Sequence, residues 1–327
     1  MPGWAYRDAL SIYQRLRRVK NRVVNLMDPP VVVLIYHRVT GLQTDPHLLA
    51  VSPENFRAQM QFLKRSIRVV RFEETWSGLR ERAVAVTFDD GYADNALDAL
   101  PVLEEVGVPA TFFVSTGALG TREEFWWDEL ERIILGDAGY PDKFCLDDRE
   151  YGRIWSTATR EQRLVLHGDI HLLAERIGGA RREGWLEQLR GWAGLDRIGR
   201  EANRSLTPEE LQTLATSPLT TVGAHTVSHT PLSVLSEDEQ RHEIISSKQE
   251  LERLLGTEIT VFSYPFGRKD HYNRTSVRLC REAGFQKAAS NFPGQAHRWT
   301  DNYQIPRQLV RNWDVGTFAT RMRSFWI

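Results

Sequence analysis

Residues 83–91 read AVAVTFDDG, an apolar run containing β-branched residues that ends in two carboxylates and a glycine. The run has the length and composition of a buried strand. Apolar runs of this kind recur along the chain, with segments of helical pattern between most of them, at 31–36, 68–72, 110–114, 220–224, 259–264 and 285–289. This alternation predicts an α/β fold with a mostly parallel sheet.

Three helix starts are marked by capping residues, and they support the alternation. Pro53 follows Ser52, whereas Thr207 and Ser236 each stand three residues before a glutamate. A hydroxyl at the N-cap and a carboxylate three positions later satisfy free backbone N–H groups reciprocally. We therefore expect helices to begin at these three positions, and the last of them to end at Gly256.

The alternation is interrupted once, by a stretch rich in Trp and Arg that is largely helical in pattern. We interpret this stretch as an insertion between β/α units, and a separate small domain is the alternative. The predicted segments are an amphipathic basic helix (1–28), a first barrel part (29–118), the helical insertion (119–204) and a second barrel part (205–327). Insertions on the carboxyl face of a barrel are where specificity usually resides.

The composition argues against several classes of protein. The 327 residues include 42 Lys and Arg against 43 Asp and Glu, for a net charge of -1, so no nucleic-acid partner is indicated. Cys145 and Cys280 form neither a disulfide framework nor a paired zinc-ligand spacing. The first thirty residues lack the apolar core and cleavage site of a secretory signal, so we expect a cytoplasmic location.

Residues 5–27 combine apolar positions at helical spacing with clustered Arg and Lys. A helix of this kind suits a peripheral contact with the anionic inner face of a membrane. An amphipathic helix packed on the domain, with a solvated basic face, explains the pattern equally well. Both interpretations stay open, and nothing in the sequence indicates the oligomeric state.

A second polar cluster, HTVSH at 225–229, follows the predicted strand 220–224. Two imidazoles four residues apart on one helical turn form a metal-chelating geometry. With one carboxylate from Asp89 or Asp90 they make three protein ligands with open positions, as in catalytic metal sites. Each motif alone has a simpler explanation, namely an Asp-rich turn and a chance pair among nine histidines.

Three segments together resemble the polysaccharide deacetylase family, also called the NodB-homology domain or carbohydrate esterase family 4. They are TFDDG at 87–91, HTVSH at 225–229 and SYPFG at 263–267, each at a predicted strand end. The resemblance covers roughly 31–310. It implies a distorted (β/α) barrel with a helical insertion. It also implies a metal-dependent hydrolase that removes N-acetyl groups from an amino-sugar-containing polysaccharide or glycan intermediate, as in exopolysaccharide or cell-surface glycan biosynthesis.

The resemblance assigns the metal ligands and the base. Asp90, His225 and His229 would hold a divalent metal, and Asp89 would be the general base that takes a proton from the attacking water. From the ligand types, Zn²⁺ is the default, although Co²⁺, Ni²⁺ and Fe²⁺ suit the same set.

The same resemblance places the SYPFG turn at the substrate groove. The backbone N–H of Phe266 would join the metal in stabilising the tetrahedral oxyanion, and Pro265 and Tyr264 would border the groove. A turn that closes a strand through Pro and Gly needs no catalytic role, and this simpler explanation stays open.

This chain departs from the family pattern in two places, so the residue that orients the base and the residue that acts as the general acid have to be found elsewhere in the sequence. Many members have an arginine that orients the base where this chain has Ser263, and the late Leu-x-His motif is missing. The first predicted strand ends at His37. This resembles the circularly permuted branch acting on poly-N-acetylglucosamine-type exopolysaccharides, where such a histidine would protonate the leaving amine. A capping histidine is the alternative. Arg307 is the candidate for the missing arginine, and Arg268 competes with it.

Exposed tryptophan faces are common platforms for sugar rings, and Trp127 and Trp299 are candidates for that role, although tryptophans lie more often in a core. Two other functions remain alternatives. One is a metallohydrolase of the same fold that acts on a non-sugar C–N bond or an ester. The other is a catalytically impaired member that only binds glycans.

Overall fold

The computed structural model describes residues 21, 23–42 and 44–327. Its strands are β1 (Val31–Tyr36), β2 (Arg38–Val39), β3 (Ala50–Val51), β4 (Arg68–Val69), β5 (Ala83–Phe88), β6 (Ala110–Val114), β7 (Lys143–Leu146), β8 (Arg153–Ser156), β9 (Thr220–Ala224), β10 (Val261–Ser263), β11 (Lys287–Ala289) and β12 (Arg307–Leu309). Its α-helices with assigned ends are α1 (Pro53–Ser66), α2 (Leu100–Val106), α3 (Trp126–Leu135), α4 (Arg160–Ala174), α5 (Gly179–Ala193), α6 (Pro208–Thr216), α7 (Glu237–Leu255), α8 (Arg274–Glu282) and α9 (Val315–Phe325).

The main sheet is parallel and nearly closed into a barrel. Seven of its strands follow the order β11-β10-β9-β6-β5-β1-β12, and β4 pairs with β5 beside that path. The two ends of the path approach each other where Ala289, the last residue of β11, forms a parallel bridge with Ile305, just before β12. This architecture confirms the predicted distorted (β/α) barrel.

The barrel wall shows why the apolar runs form strands. Alternate residues of β5 face opposite sides: Ala83 and Ala85 pack inside the barrel, whereas Val84, Val86 and Phe88 pack against the helices. Both faces are buried, so the run is apolar throughout, as parallel strands usually are. Burial of each Val or Phe side chain contributes about 1.5–3 kcal/mol.

Four predicted strands have the predicted bounds: β1, β5, β6 and β9. The predicted strands at 68–72, 259–264 and 285–289 are shorter in the structure, as β4, β10 and β11. Apolar residues beyond their ends are still buried, with Ile259 only 2% and Phe285 only 1% exposed. An apolar run predicts which residues are buried, but it does not predict the residue at which the backbone pairing of a strand ends.

The three predicted helix starts are also observed. Ser52, Thr207 and Ser236 each accept a hydrogen bond at the N-cap from a backbone N–H three residues later, and the last two form complete capping boxes. Helix α7 ends at Gly256, whose φ of 66° is the left-handed conformation expected at that position.

The predicted insertion has a hydrophobic core of its own. Helices α3, α4 and α5 surround a cluster that includes Leu130, Trp155, Leu166 and Trp185. The prediction of a largely helical segment missed one feature, an antiparallel hairpin of β7 and β8. Its strands are four residues each and only one or two of their side chains are buried, so the strand signal is weak.

The predicted helix over 1–28 falls largely outside the described residues. Residues 23–27 are helical, with the Leu26 side chain 86% and Met27 77% exposed, and Asn25 donates a hydrogen bond to the carbonyl of Trp326. Among the described residues, no helix combines the length and the apolar character needed to cross a bilayer.

The strand ends are level at the carboxyl face of the barrel. Tyr36 pairs with Phe88, and Phe262 pairs with Ala224. The loops that follow β1, β5, β9 and β10 therefore start beside one another, which is where β/α barrels usually carry their active sites.

Candidate active site

Asp89 and Asp90 follow β5 and diverge from each other. Strand alternation continues the inward row of Ala83, Ala85 and Thr87 to Asp89 and would send Asp90 toward the helices. Asp90 instead has a φ of 76°, which turns it from the strand direction. A left-handed φ costs a non-glycine residue roughly 1–3 kcal/mol and is commonest at functional sites.

Gly91 makes this turn possible. Its φ is 89°, and a Cβ atom at this position would lie 2.8 Å from Cγ1 of Val114, at the end of β6. Glycine is therefore required both for the backbone conformation and for the close approach of the neighbouring strand.

Asp90, His225 and His229 form a cluster of buried potential metal ligands. One donor atom from each lies within 4.8 Å of the others. Asp90 Oδ1 is 3.5 Å from His225 Nε2 and 3.2 Å from His229 Nε2. Burial opposes the negative charge of Asp90, but its contacts with the two histidines outweigh burial, and the pKa of Asp90 lies well below its ordinary value.

The donor set fits a divalent cation. Asp90 Oδ1 is buried and accepts no hydrogen bond from any residue that the structure describes. His225 Nδ1 lies 2.7 Å from the carbonyl oxygen of Ser263, and because a carbonyl only accepts, Nδ1 carries the proton and Nε2 keeps its lone pair. One carboxylate and imidazole nitrogens are ligands that Zn²⁺ and similar ions take.

Asp89 is held by Arg307 in a bidentate ion pair. Arg307 donates from NH1 to Asp89 Oδ1 at 2.7 Å and from NH2 to Oδ2 at 2.6 Å, and its side chain is fully buried. Burial alone would raise the pKa of Asp89, but Arg307, followed by His225, outweighs burial and holds the pKa below its ordinary value. Asp89 is therefore an oriented, ionised carboxylate.

Ser263 joins this ion pair. Its hydroxyl donates to Asp89 Oδ2 at 3.1 Å and accepts from Arg307 at 2.8 Å. The competing Arg268 does not reach Asp89. It is 60% exposed and contacts Asp270, His271 and, at 4.0 Å, Glu175.

His37 lies at the pocket with Asp89 and Asp90. Its Nδ1 is buried and has no hydrogen-bond partner among the described residues. Burial lowers the pKa of His37, and the two aspartates oppose that effect. The imidazole is therefore neutral at rest.

The SYPFG turn contributes one residue to the pocket, not three. Phe266 lines the pocket with a φ of 57°, and its ring lies 4.8 Å from that of His229. The placement of Tyr264 at the groove is wrong, because its side chain is buried, stacks on Tyr272 at 4.1 Å and donates to the carbonyl of Tyr303. Pro265 is buried and does not line the pocket.

The two tryptophan candidates are far from equivalent. Trp127 lines the pocket and packs edge-on against His229 at 4.6 Å, but it is only 4% exposed. Trp299 is 58% exposed and stacks on His297, which contacts Asp28 just before β1. Trp299 therefore lies toward the amino end of the strands, and the structure does not bring it to the pocket.

The pocket also contains residues that the sequence did not single out. It has a volume of about 380 Å³ and is partly walled by His47, His171 and Glu175. Burial, with smaller contributions from His47 and His167, lowers the pKa of His171 to about 3, so His171 is an uncharged imidazole at neutral pH. No short motif marks these residues, because they meet only when the insertion packs on the barrel.

A family model described as polysaccharide deacetylase matches residues 77–137 and 192–288. These ranges contain all three motifs, and the unmatched part between them lies inside the predicted insertion. A curated relative is the Bacillus subtilis (strain 168) protein YxkH, named as a proposed polysaccharide deacetylase. It is 21% identical over 288 residues, which cover 85% of this chain and 70% of the relative.

Two solved structures share the fold. The Streptococcus pyogenes deacetylase PplD, in complex with acetate, is 16% identical with a TM-score of 0.58, and the match covers 90% of this chain and 99% of PplD. IcaB from Ammonifex degensii is 19% identical with a TM-score of 0.58, covering 92% of this chain and 98% of IcaB. At these identities the matches show the fold.

Proposed function

The chain belongs to the polysaccharide deacetylase family of hydrolases, and on that premise we propose that it removes N-acetyl groups from an amino-sugar-containing glycan by metal-assisted hydrolysis. The observation that carries this proposal is the convergence of a cation-binding triad with a separately held, ionised carboxylate. Asp90, His225 and His229 supply the first, and the pair of Asp89 with Arg307 supplies the second.

The triad is proposed to hold Zn²⁺. A divalent cation bound there would polarise the acetyl carbonyl and acidify water, which an unactivated amide needs near neutral pH. His225 is prepared for this by its hydrogen bond to Ser263, which fixes the tautomer. His229 is oriented by ring packing against Trp127 and Phe266.

Asp89 is proposed to be the general base. As a water oxygen attacks the carbonyl carbon, Asp89 takes one of its protons. Arg307 and Ser263 occupy fixed positions on the carboxylate, so Asp89 is oriented before the substrate arrives. Asp89 Oδ2 lies 3.7 Å from His225 Nε2, so this carboxylate is beside the triad.

His37 is proposed to be the general acid. The C–N bond breaks only when the leaving nitrogen receives a proton. His37 lines the pocket at the end of β1, which pairs with β5, the strand that precedes Asp89. Its pKa is lowered from the ordinary value mainly by burial. The neutral imidazole would take up the proton that Asp89 removes from the water and deliver it to the departing amine, leaving acetate and a free amino sugar.

The backbone N–H of Phe266 is proposed to donate to the oxyanion. Phe266 lines the pocket, and its N–H has no acceptor among the residues that the structure describes. A free donor fixed beside a reacting carbonyl stabilises the charge that develops in the transition state. The left-handed φ of Phe266 turns the peptide at this point.

An exopolysaccharide or a related cell-surface glycan is the proposed substrate class. The acetate in PplD agrees with an acetyl-releasing site on this fold. The Tyr36-His37 pair resembles the exopolysaccharide-acting branch of the family. A pocket of about 380 Å³ has room for a sugar residue with its acetyl group.

Acetate release from a panel of acetylated glycans tests the proposal. The purified chain is stripped of metal, then restored with Zn²⁺, Co²⁺, Ni²⁺ or Fe²⁺, and compared with Asp89→Asn and with the exposed control Asp137→Asn. We expect release only from N-acetylated glycans, only with metal, and at least about 10²-fold less in Asp89→Asn. Equal release by wild type and Asp89→Asn, or release only from simple esters, would contradict it.

A further inference from the structure

The turn that carries His225 and His229 is strained. Thr226 has a φ of 65° and His229 a φ of 50°, both in the left-handed region that non-glycine residues rarely adopt. Such a turn persists only if its surroundings fix it. The hydrogen bonds of its backbone therefore show what holds the two imidazoles in place.

The loop after β6 holds one side of the turn. It donates three hydrogen bonds to successive carbonyls: Ser115 Oγ to His225 at 2.9 Å, Thr116 N to Thr226 at 3.1 Å and Gly117 N to Val227 at 2.9 Å. A Cβ atom on Gly117 would lie 2.6 Å from the Val227 oxygen, so only glycine permits this approach. This side of the turn belongs to the barrel.

Glu243, on α7, holds the amide groups of the turn. One carboxylate oxygen, Oε2, accepts from the backbone N–H of Val227 at 2.8 Å and of Ser228 at 2.9 Å. The other, Oε1, accepts from the Ser228 hydroxyl at 2.6 Å. Glu243 is only 8% exposed, and bonds from donors to a buried carboxylate are strong.

Arg182, on α5 of the insertion, contacts the other side of Ser228. Its NH2 group donates to the carbonyl of Ser228 at 2.9 Å and to Thr230 Oγ1 at 3.1 Å, and its guanidinium lies 4.8 Å from the Trp126 ring centroid. Arg182 is only 4% exposed. Burial lowers its pKa to about 10, so it stays cationic at neutral pH.

The start of α5 packs directly on the turn. A Cβ atom on Gly179 would lie 3.2 Å from Ser228 Oγ and 3.5 Å from Thr230 Oγ1. Ser228 thus lies between an anion from α7 and a cation from the insertion, and these two charges also attract each other. The barrel motif HTVSH is therefore completed by a segment outside the matched family ranges.

We propose that Arg182 and Glu243 are positioning residues of the metal centre, and that the insertion sets the metal affinity of the site through Arg182. The inference rests on the proposed metal-binding role of His225 and His229. Neither residue touches the cation ligands. Each acts through Ser228, fixing the peptide units on which the distance between the two imidazoles depends.

Metal affinity tests this directly, independently of catalysis. The full chain and the variants Glu243→Ala and Arg182→Met are stripped of metal, and the Zn²⁺ dissociation constant is measured by competition with a chromophoric chelator. We expect each dissociation constant to rise about 10- to 100-fold, the usual effect of removing a group that orients a ligand. The visible absorption of the Co²⁺ form should change in the same variants, because it reports ligand geometry.

Conservative variants and neighbouring controls separate positioning from general stability. Glu243→Gln keeps one amide oxygen as an acceptor and Arg182→Lys keeps the charge, so both should raise the constant less than the larger changes. Arg181→Met removes an exposed arginine on α5 that pairs with Asp148, which lies between β7 and β8. Glu250→Ala removes an exposed carboxylate on α7. Both controls should keep the wild-type constant within about twofold.

The outcomes distinguish the inference from the proposed function. If Glu243→Gln and Arg182→Lys, together with any larger variant that folds, bind Zn²⁺ as tightly as wild type and give its Co²⁺ spectrum, the positioning role is wrong, whatever happens to thermal stability. It is also wrong if Arg181→Met weakens binding as much as Arg182→Met. A wild-type chain that binds Zn²⁺ but releases no acetate would contradict the proposed function and leave this inference standing.

Discussion

As the proposed general base, Asp89 has to meet two opposing demands, and its ion pair with Arg307 determines the balance between them. A general base must be ionised before the reaction, yet it must still attract a proton. Burial in the barrel favours the neutral acid, whereas two short bonds from Arg307 favour the carboxylate. The bidentate geometry also leaves the carboxylate only one orientation.

Replacing Arg307 by Met should therefore disable the base without removing it. Asp89 would be buried without its main counter-charge, its pKa would rise, and kcat/KM for acetate release should fall by about 10²- to 10⁴-fold. Arg307→Lys keeps the charge but not the paired bonds, and should recover part of the loss. Steady-state kinetics on an N-acetylated glycan provides the measurement.

Arg253→Met is the matched control for that experiment, because Arg253 is an exposed arginine on α7 that does not line the pocket. Its effect should stay within a few-fold. Comparable losses in the two variants would mean that Arg307 has no special relation to the base.

His37→Gln should separate amides from esters. An amine needs a proton to leave, whereas an aryloxide leaves without one, so the variant should lose about 10²- to 10⁴-fold on an N-acetylated glycan and far less on an aryl acetate. Comparing kcat on the two substrates, with exposed His242→Gln as a control, measures the difference. An equal loss on both would sink the general-acid role.

The positions of some side chains at the site can be predicted from a local motif, whereas the positions of others depend on contacts with residues far away in the sequence. Motifs at strand ends mark Asp90, His225 and His229, but the left-handed φ of Asp90, Thr226 and His229 brings the three side chains together, and no spacing rule predicts it. Segment 225–229 is not the helical turn that the sequence predicted. The sequence does not decide between Arg307 and Arg268, since nothing local in Ile-Pro-Arg indicates a partner 218 residues away. Tyr264 shows the converse error, because a residue inside a motif turned toward the core.

Helix α3 connects the insertion to the pocket through a short hydrogen-bonded chain. Trp127 Nε1 donates to the hydroxyl of Tyr92 at 2.8 Å, and that hydroxyl donates to Asp128 Oδ2 at 2.6 Å. Burial raises the pKa of Asp128 to about 7, although Arg38 and the bond from Tyr92 oppose the rise. The element that places Trp127 beside His229 thus carries a carboxyl group that titrates near neutrality.

The free energy of unfolding should depend on pH because of the carboxyl group of Asp128. In the unfolded chain Asp128 loses its proton near pH 4, whereas in the folded protein it keeps it until about pH 7. The folded state binds more protons between these values. Asp128 should therefore reduce the free energy of unfolding as pH rises from 4 to 7, by at most about 1.4 kcal/mol per pH unit, with no further change above 7.

Denaturant unfolding of wild type and Asp128→Asn across this pH range checks the prediction. The amide still accepts from Tyr92 and does not titrate, so the stability difference between the two proteins should grow from pH 4 to 7 in favour of the variant. A pH-independent difference would show that Asp128 is ionised throughout.

Elements with a strong local signal were predictable, and those defined by their partners were not. Capping boxes at Thr207 and Ser236 fixed two helix starts to the residue. Strand β12 was missed because its three residues, Arg-Gln-Leu, are mostly polar and become a strand only by pairing with β1. The β7–β8 hairpin was hidden for a similar reason, since its short strands bury few side chains.

At the scale of the whole molecule, the main sheet is a barrel whose two edge strands, β11 and β12, are brought together by residues late in the sequence. A mostly parallel sheet could be predicted from the alternation of runs, and the family resemblance supplied its closure. The contact between Ala289 and Ile305 that makes the closure has no sequence signal of its own. The pocket wall formed by His47 of the barrel and His171 of the insertion likewise follows only from how two separate cores pack.

The membrane contact predicted for residues 5–27 is testable at this scale. Changing Arg15, Arg17, Arg18, Lys20 and Arg22 together to Gln removes charges worth about 1 kcal/mol each near an anionic surface. The full chain should then shift from the membrane fraction to the soluble fraction of lysed cells. Vesicles of neutral lipid are the control and should bind neither form, and a wild-type chain found only in the soluble fraction would rule the contact out.

The pairing of β12 with β1 has a consequence for the timing of activity during synthesis. The ribosome adds Asp89 to the chain long before it adds Arg307, which pairs with Asp89 in the folded protein. Throughout that interval β1 lacks its second neighbouring strand, β12. A nascent chain therefore holds both aspartates and both histidines of the proposed site while Asp89 still lacks its counter-ion. We therefore expect full hydrolytic activity only after β12 has paired with β1, and an incomplete translation product should hydrolyse a glycan far more slowly than the full chain.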